Sequence, residues 1–182
     1  MARILVVSGI YNASWTKSSF ADIYARRLQA MGHDAVIVRY PMMTAFLGYF
    51  EWSKKRRAKK ILEMANDGDI IVAHSFGCLC TLYAMRMGGK FSKVFFFGAA
   101  INKQELFPQD KFDILYNVHS DDDNVLMVSK LLPWHDFGGM GRKGYQLNDK
   151  RIVNVKASGY HHNSYKKHVN KWASFIHNKI DD

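Results

Sequence analysis

In IIVAHSFGCLC, residues 70–80, a lone serine interrupts a stretch that otherwise has the composition of buried structure. The residues before it, with Asp69, form a β-branched apolar run of strand length. The residues after it, FGCLCTLYAMRMGG, are apolar nearly all round and end at Gly88 and Gly89, as a buried helix would. Ser75 therefore stands where a strand stops and a helix starts. Ala73 and Gly77 flank it at two residues on either side, and small residues at both places permit a sharp strand-to-helix turn that lifts a serine oxygen clear of a sheet. A serine at this position is either an ordinary helix cap or a nucleophile on display.

The rest of the chain repeats the alternation. RILVVSG from Arg3, AVIVRY from Ala35, KVFFFGA from Lys93, FDILYNVH from Phe112 and RIVNVKA from Arg151 are further short runs, mostly apolar without interruption. That pattern suits strands buried on both faces of a parallel sheet. Between them lie helical patterns: SSFADIYARRLQAMG, with a serine cap and a closing Gly32; SKKRRAKKILEMANDG; and, at the end, NSYKKHVNKWASFIHNKI. LLPWHDFGGMGRKGY, residues 131–145, is too glycine-rich for a helix and is expected to be a long loop. Alternating strands and helices predict a three-layer α/β/α sandwich around a mostly parallel six-stranded sheet. At 182 residues, with 48% hydrophobic and 14% aromatic residues, the chain fits a single domain over 1–182. The opening MARILVVSGI is expected to be a first strand rather than a leader. No apolar run approaches the length of a membrane helix.

Right-handed crossovers bring the loops after the strands to one edge of such a sheet. Four chemically notable segments share it: Ser8–Asn12, Ser75, Asp121–Asp123 and His161–His162. A serine hydroxyl needs a base, and the base an orienting group. HSDDDNV supplies three adjacent carboxylates, among which position alone does not choose. SGYHHNSY supplies two histidines. Each is unremarkable alone; together, the order serine, acid, histidine at successive strand ends makes coincidence a poor account.

This constellation resembles the α/β-hydrolase superfamily. AHSFG is similar to its nucleophile-elbow motif Gly-x-Ser-x-Gly, with Ala73 replacing the first glycine. SDDDNV resembles the acid loop, in which the aspartate stands two residues before a valine; this implies Asp123. HHNSY resembles the histidine loop, where an aromatic follows three residues on; His162 with Tyr165 fits, and His161 is the fallback. The order of elements matches the compact members, which keep six strands and lack the first two of eight. The resemblance implies a serine hydrolase, most simply a carboxylic ester hydrolase, with Ser75 as nucleophile, His162 as base and Asp123 as its orienting acid. It also implies an oxyanion hole from the backbone N–H groups of Phe76 and of Ile10, with Tyr11 the neighbouring choice.

Around this edge, PMMTAFLGYFEW, residues 41–52, is either core packing or a flap whose Met42, Phe46 and Trp52 line an acyl pocket; Trp134 is a candidate rim residue. The net charge is +10, with much of the excess in KKRRAKK, Lys54–Lys60. That block is a solvated helix face, or a contact for an anionic membrane surface or nucleic acid. A non-catalytic binding protein on the same fold, working through this helix, is the competing class of function. His161, His162 and His168 lack a carboxylate at metal-ligand spacing, and no metal is expected. GIYNAS is not the Gly-x-Gly-x-x-Gly dinucleotide fingerprint, and no cofactor is expected. Cys78 and Cys80 do not share a helix face and are not expected to pair, so a cytoplasmic location is the expectation.

Overall fold

A computed structural model of the chain describes residues 2–9, 19–40, 50–128 and 138–181. The elements in chain order are β1 (Arg3–Val7), α1 (Phe20–Ala30), β2 (Asp34–Val38), α2 (Glu51–Met64), β3 (Asp69–His74) and α3 (Phe76–Arg86). Then follow β4 (Phe91–Phe97), β5 (Phe112–His119), α4 (Asn124–Val128), α5 (Gly139–Lys143), β6 (Ile152–Lys156), α6 (Ser164–Lys167) and α7 (Val169–Asp181). The six strands form one sheet in the order β2-β1-β3-β4-β5-β6. Every neighbouring pair is parallel.

The uninterrupted apolar strands are explained by a core on each face. Leu5, Val7, Ile71, Ala73, Val94 and Phe96 pack with α2 and α3. Their alternates Ile4, Val6, Ile70, Val72, Phe95 and Phe97 pack with α1 and α7, against Phe20, Tyr24, Leu28, Trp172 and Ile176. Period-two side-chain alternation thus feeds both layers, which is why these runs are apolar on both faces. α1 begins as the sequence predicts, with the Ser19 hydroxyl accepting from the Asp22 N–H.

Two elements differ from expectation. The glycine-rich stretch is not wholly a loop, because α5 forms over Gly139–Lys143. Tertiary hydrogen bonds override its poor helix propensity. Met140 and Gly141 donate backbone N–H groups to the carbonyls of Ile101 and Ala99, and the Gly141 carbonyl accepts from Ser120. A Cβ on Gly141 would lie 2.5 Å from the Ala99 nitrogen, so only glycine allows this approach. The last helical pattern is also divided at His168, into α6 and α7.

The charged block is not purely a solvated face either. Lys55, Arg56, Lys59 and Lys60 are exposed, whereas Arg57 is buried with Ala58 and Ile61. Its guanidinium lies over the rings of Tyr40 and Phe76, 5.2 and 5.1 Å from their centroids. Register aligns the strand ends that carry the polar loops. His74 pairs with Phe97, Phe97 with Val118, and His119 with Lys156, so the chain leaves the sheet along one line.

Candidate active site

Ser75 follows the last residue of β3 and precedes the first of α3. Its backbone has φ 56° and ψ −125°, a left-handed conformation that a non-glycine residue adopts only when its surroundings enforce it. They do so from both sides. The Ser75 N–H donates to the Phe97 carbonyl at 2.9 Å, and the Ser75 carbonyl accepts from Cys78 and Ala100. The small neighbours are a steric requirement. A Cβ on Gly77 would lie 2.5 Å from the Ser8 carbonyl oxygen, and one on Gly9 would lie 2.9 Å from the Ser75 Cβ. The turn is a nucleophile elbow, and β1 is pressed against its back.

His162 Nε2 lies 2.8 Å from Ser75 Oγ, and its Nδ1 lies 2.7 Å from Asp123 Oδ2. The three side chains come from the loops after β3, β5 and β6, and Asp123 has no exposed surface. Folding separates the adjacent candidates. Asp121 faces outward between Lys156 and Lys143, which hold its carboxyl down at about 2. Asp122 accepts the Gly159 N–H, and its backbone carbonyl bonds the exposed ring of His161. Asp123 turns inward, with Oδ1 accepting the Leu126 N–H of α4 while Oδ2 meets His162. The carboxylate is therefore held from two directions.

His74 has a structural part in this assembly. Its Nε2 is 3.1 Å from the His162 carbonyl oxygen, so it donates there and leaves Nδ1 unprotonated. Its ring stacks on Phe20 at 4.7 Å and lies 4.7 Å from the His162 ring. Burial pushes its pKa well below the ordinary histidine value, with further lowering from His162 and Lys166 and a smaller opposing effect from that hydrogen bond. A neutral His74 adds no charge repulsion when His162 takes up a proton.

The site opens into a cavity of about 200 Å³. Ser75, His74 and His162 line it together with Ser8, Gly9, Ser19 and Phe20 and with Val125, Asn163 and Lys166. Of the predicted surroundings, Phe76 heads α3 directly after the serine. Trp52 lies in the first turn of α2, half exposed and stacked with Phe50, away from the cavity walls that the described residues form. Ile10, Tyr11, Met42, Phe46 and Trp134 lie outside the described residues.

Three residues have roles that the sequence motifs do not show, although Ser8 was expected at this edge. Gly98, at φ 53°, passes beside the Asp123–His162 pair; a Cβ there would lie 3.1 Å from Asp123 Oδ2 and 3.4 Å from His162 Nδ1. The only sequence signal is a glycine at the end of KVFFFG. Ser8 accepts the Ala21 N–H at 3.0 Å and so ties β1 to α1 at the cavity wall. Lys166 reaches the cavity from the turn after His162. Among the described residues no three His, Cys, Asp or Glu side chains are grouped to hold a metal ion.

Sheet order, elbow and triad together define an α/β-hydrolase fold carrying the Ser–His–Asp arrangement of a serine hydrolase. No protein-family model and no curated protein sequence matches the chain. Solved structures do. Mouse alpha/beta hydrolase domain-containing protein 10 superposes with a TM-score of 0.66 at 11% identity, over 98% of this chain and 89% of its own. The esterase domain of a Rhodothermus marinus protein gives 0.61 at 13% identity, covering 96% and 84%. A pyrethroid hydrolase from Sphingobium faniae JZ-2 gives 0.60 at 11% identity, covering 99% and 97%. At these identities the likeness carries the fold; the chemistry rests on this chain's own residues.

Proposed function

We propose that the chain is a single-domain carboxylic ester hydrolase that works through an acyl-enzyme. The observation that carries this reading is His162, hydrogen-bonded at once to Ser75 Oγ and to the buried Asp123. Ser75 Oγ attacks the ester carbonyl carbon as His162 Nε2 takes its proton, and Asp123 holds Nδ1–H and stabilises the imidazolium. The backbone N–H groups of Phe76 and Ile10 are the proposed donors to the oxyanion. His162 returns the proton to the leaving alkoxide, the alcohol departs, and an acyl-Ser75 remains. Water, deprotonated by His162, attacks that ester; collapse restores the Ser75 hydroxyl and releases the carboxylic acid. Met42, Phe46 and Trp134 are proposed to complete the acyl pocket. Buried, unpaired Cys78 and Cys80 support a cytoplasmic location.

A fluorophosphonate probe tests the chemistry. It should label the wild type and fail on Ser75→Ala; absence of labelling on a folded wild type would overturn the hydrolase reading. His162→Ala should remove ester turnover and His161→Ala should not; the reverse would move the base to His161.

A second role is favoured at α2. Phe50 and Trp52 are 55% and 50% exposed, and the exposed Lys55, Arg56 and Lys59 continue the same region. Aromatic side chains beside cations suit an anionic membrane surface better than nucleic acid. Co-sedimentation with phosphatidylserine vesicles, reduced by salt and by neutralising these cations, tests this; salt-sensitive binding to nucleic acid without vesicle binding would favour the other partner. No helix among the described residues is long and apolar enough to cross a membrane.

A further inference from the structure

Lys166 stands out in the cavity wall. It is four residues beyond His162, a spacing that returns a side chain to the same side of a helical turn. Both residues line the cavity. Lys166 is half-buried, and no carboxylate among the described residues pairs with it. Two acids bonded to cavity-lining residues are already committed. Asp123 is buried behind His162, and Asp22, beneath Ser19, is hydrogen-bonded to Arg39 at 2.7 Å. Burial opposes ionisation of Asp22, but its Ser19 and Arg39 bonds outweigh this and hold it below the usual carboxylate range. Among the described residues no acidic side chain lines the cavity, and the charge they present to a bound molecule is the Lys166 ammonium. Its influence already extends to another lining residue, His74, whose pKa it helps to lower. The chain's net charge of +10 adds a long-range attraction for anions.

We propose that Lys166 is a specificity residue and that the substrates are small esters carrying a free carboxylate, such as half-esters of short dicarboxylic acids. The proposal rests on the hydrolase reading above and names its substrate class. A single ammonium is a point charge that suits a monoanionic carboxylate, and the described lining residues add no second cation to balance a dianion. The cavity, at about 200 Å³, is below the usual range for drug-sized ligands, which favours a short acyl chain. The ester carbonyl sits at Ser75, and the carboxylate lies toward Lys166 and Asn163, whose amide is a further donor.

The test compares ethyl hydrogen succinate with the similarly sized, neutral ethyl pentanoate, with ethanol release as the assay. The wild type should favour the anionic ester in kcat/KM. Lys166→Met should lower the anionic-to-neutral ratio about tenfold, a charge-assisted hydrogen bond at a half-exposed site. Lys166→Arg should retain much of the preference, and Lys166→Glu should depress the ratio below that of the methionine variant. Fluorophosphonate labelling of Ser75 is measured alongside. A ratio unchanged in Lys166→Met, with labelling intact, overturns the assignment of Lys166 and leaves the hydrolase reading standing. Labelling with turnover of neither ester overturns the substrate class. No labelling and no turnover overturns both.

Discussion

The two ends of the sheet use polar residues in opposite ways. At the carboxyl end, Asp123, His162, His74 and Ser8 are buried, and they bond one another or the backbone across loops far apart in sequence. At the amino end, ion pairs at the rim are prominent among the polar contacts. Arg3 bridges Asp69, Arg151 clasps Asp149, and each retains solvent on at least one partner. Burial makes the first group interdependent, because removing one member strands another where water cannot replace it. Solvent makes the second group separable. Damage at the carboxyl end should therefore appear in catalysis and stability together, and damage at the amino end in stability alone.

The sharpest break is Asp123→Asn. The amide is isosteric, but it presents His162 with the wrong hydrogen-bonding group and no compensating charge. Turnover of an ester should fall by about a thousandfold or more, with fluorophosphonate labelling slowed in parallel. A loss below tenfold would mean that His162 is oriented by something else.

Next is Gly77→Ala, which separates the elbow's shape from its chemistry. The new methyl group would lie 2.5 Å from the Ser8 carbonyl and 3.0 Å from a Val7 methyl. Val7 ends β1 and Ser8 follows it directly, and β1 is fixed between β2 and β3, so relief requires moving the elbow itself. Urea unfolding should show a loss of about 2–3 kcal/mol, as for an overpacked core. Activity should fall as well, although no triad atom is altered.

His74→Gln reads the same region through pH. The folded protein keeps His74 neutral below the pH at which an unfolded histidine, near 6.5, takes up a proton. In that window the unfolded state binds more protons, so wild-type stability falls as pH falls. This histidine contributes up to about 1.4 kcal/mol per pH unit, from about 6.5 down to its depressed folded value. Glutamine can still donate to the His162 carbonyl but does not titrate. The variant's unfolding free energy should therefore show a shallower decline between pH 7 and pH 5. Equal slopes would remove His74 from the balance.

These contrasts also mark how far the sequence could be followed. The strands were legible because a core on each face demands apolar residues at every position, which Phe95, Phe96 and Phe97 satisfy. The elbow was legible because its steric demands fall on adjacent residues, Ala73 and Gly77. The acid was harder. Asp121, Asp122 and Asp123 are chemically identical in the sequence, and only the turn of the loop sends the first to Lys143 and Lys156 and the third inward. Ser8 was placed at this edge by the sequence, but its bond to the Ala21 N–H and the close approach of Gly98 were not legible, since they depend on how neighbouring segments align. Helix α5 was misjudged because its hydrogen bonds run to other segments, where local propensity has no influence.

The smallest effect belongs at the amino end. Arg151 donates to Asp149 through Nε at 3.0 Å and through a terminal nitrogen at 2.7 Å, and lies over the Phe112 ring at 4.5 Å. The Arg151 hydrogen bond, ahead of an opposing effect of burial, holds the Asp149 carboxyl below its usual range. A lowered carboxylate pKa stabilises the fold above the unfolded value, near 3.9, and that contribution is lost as pH falls through the folded one. Asp149→Asn should cost only about 0.5–1 kcal/mol near neutral pH, because the pair is partly solvated. The difference from wild type should shrink as the medium is made more acid than pH ~4. Ester kcat/KM should stay within about twofold of wild type, the independence expected of a separable rim contact. A large fall in turnover would show that the two ends of the sheet are coupled, and the contrast between them would fail.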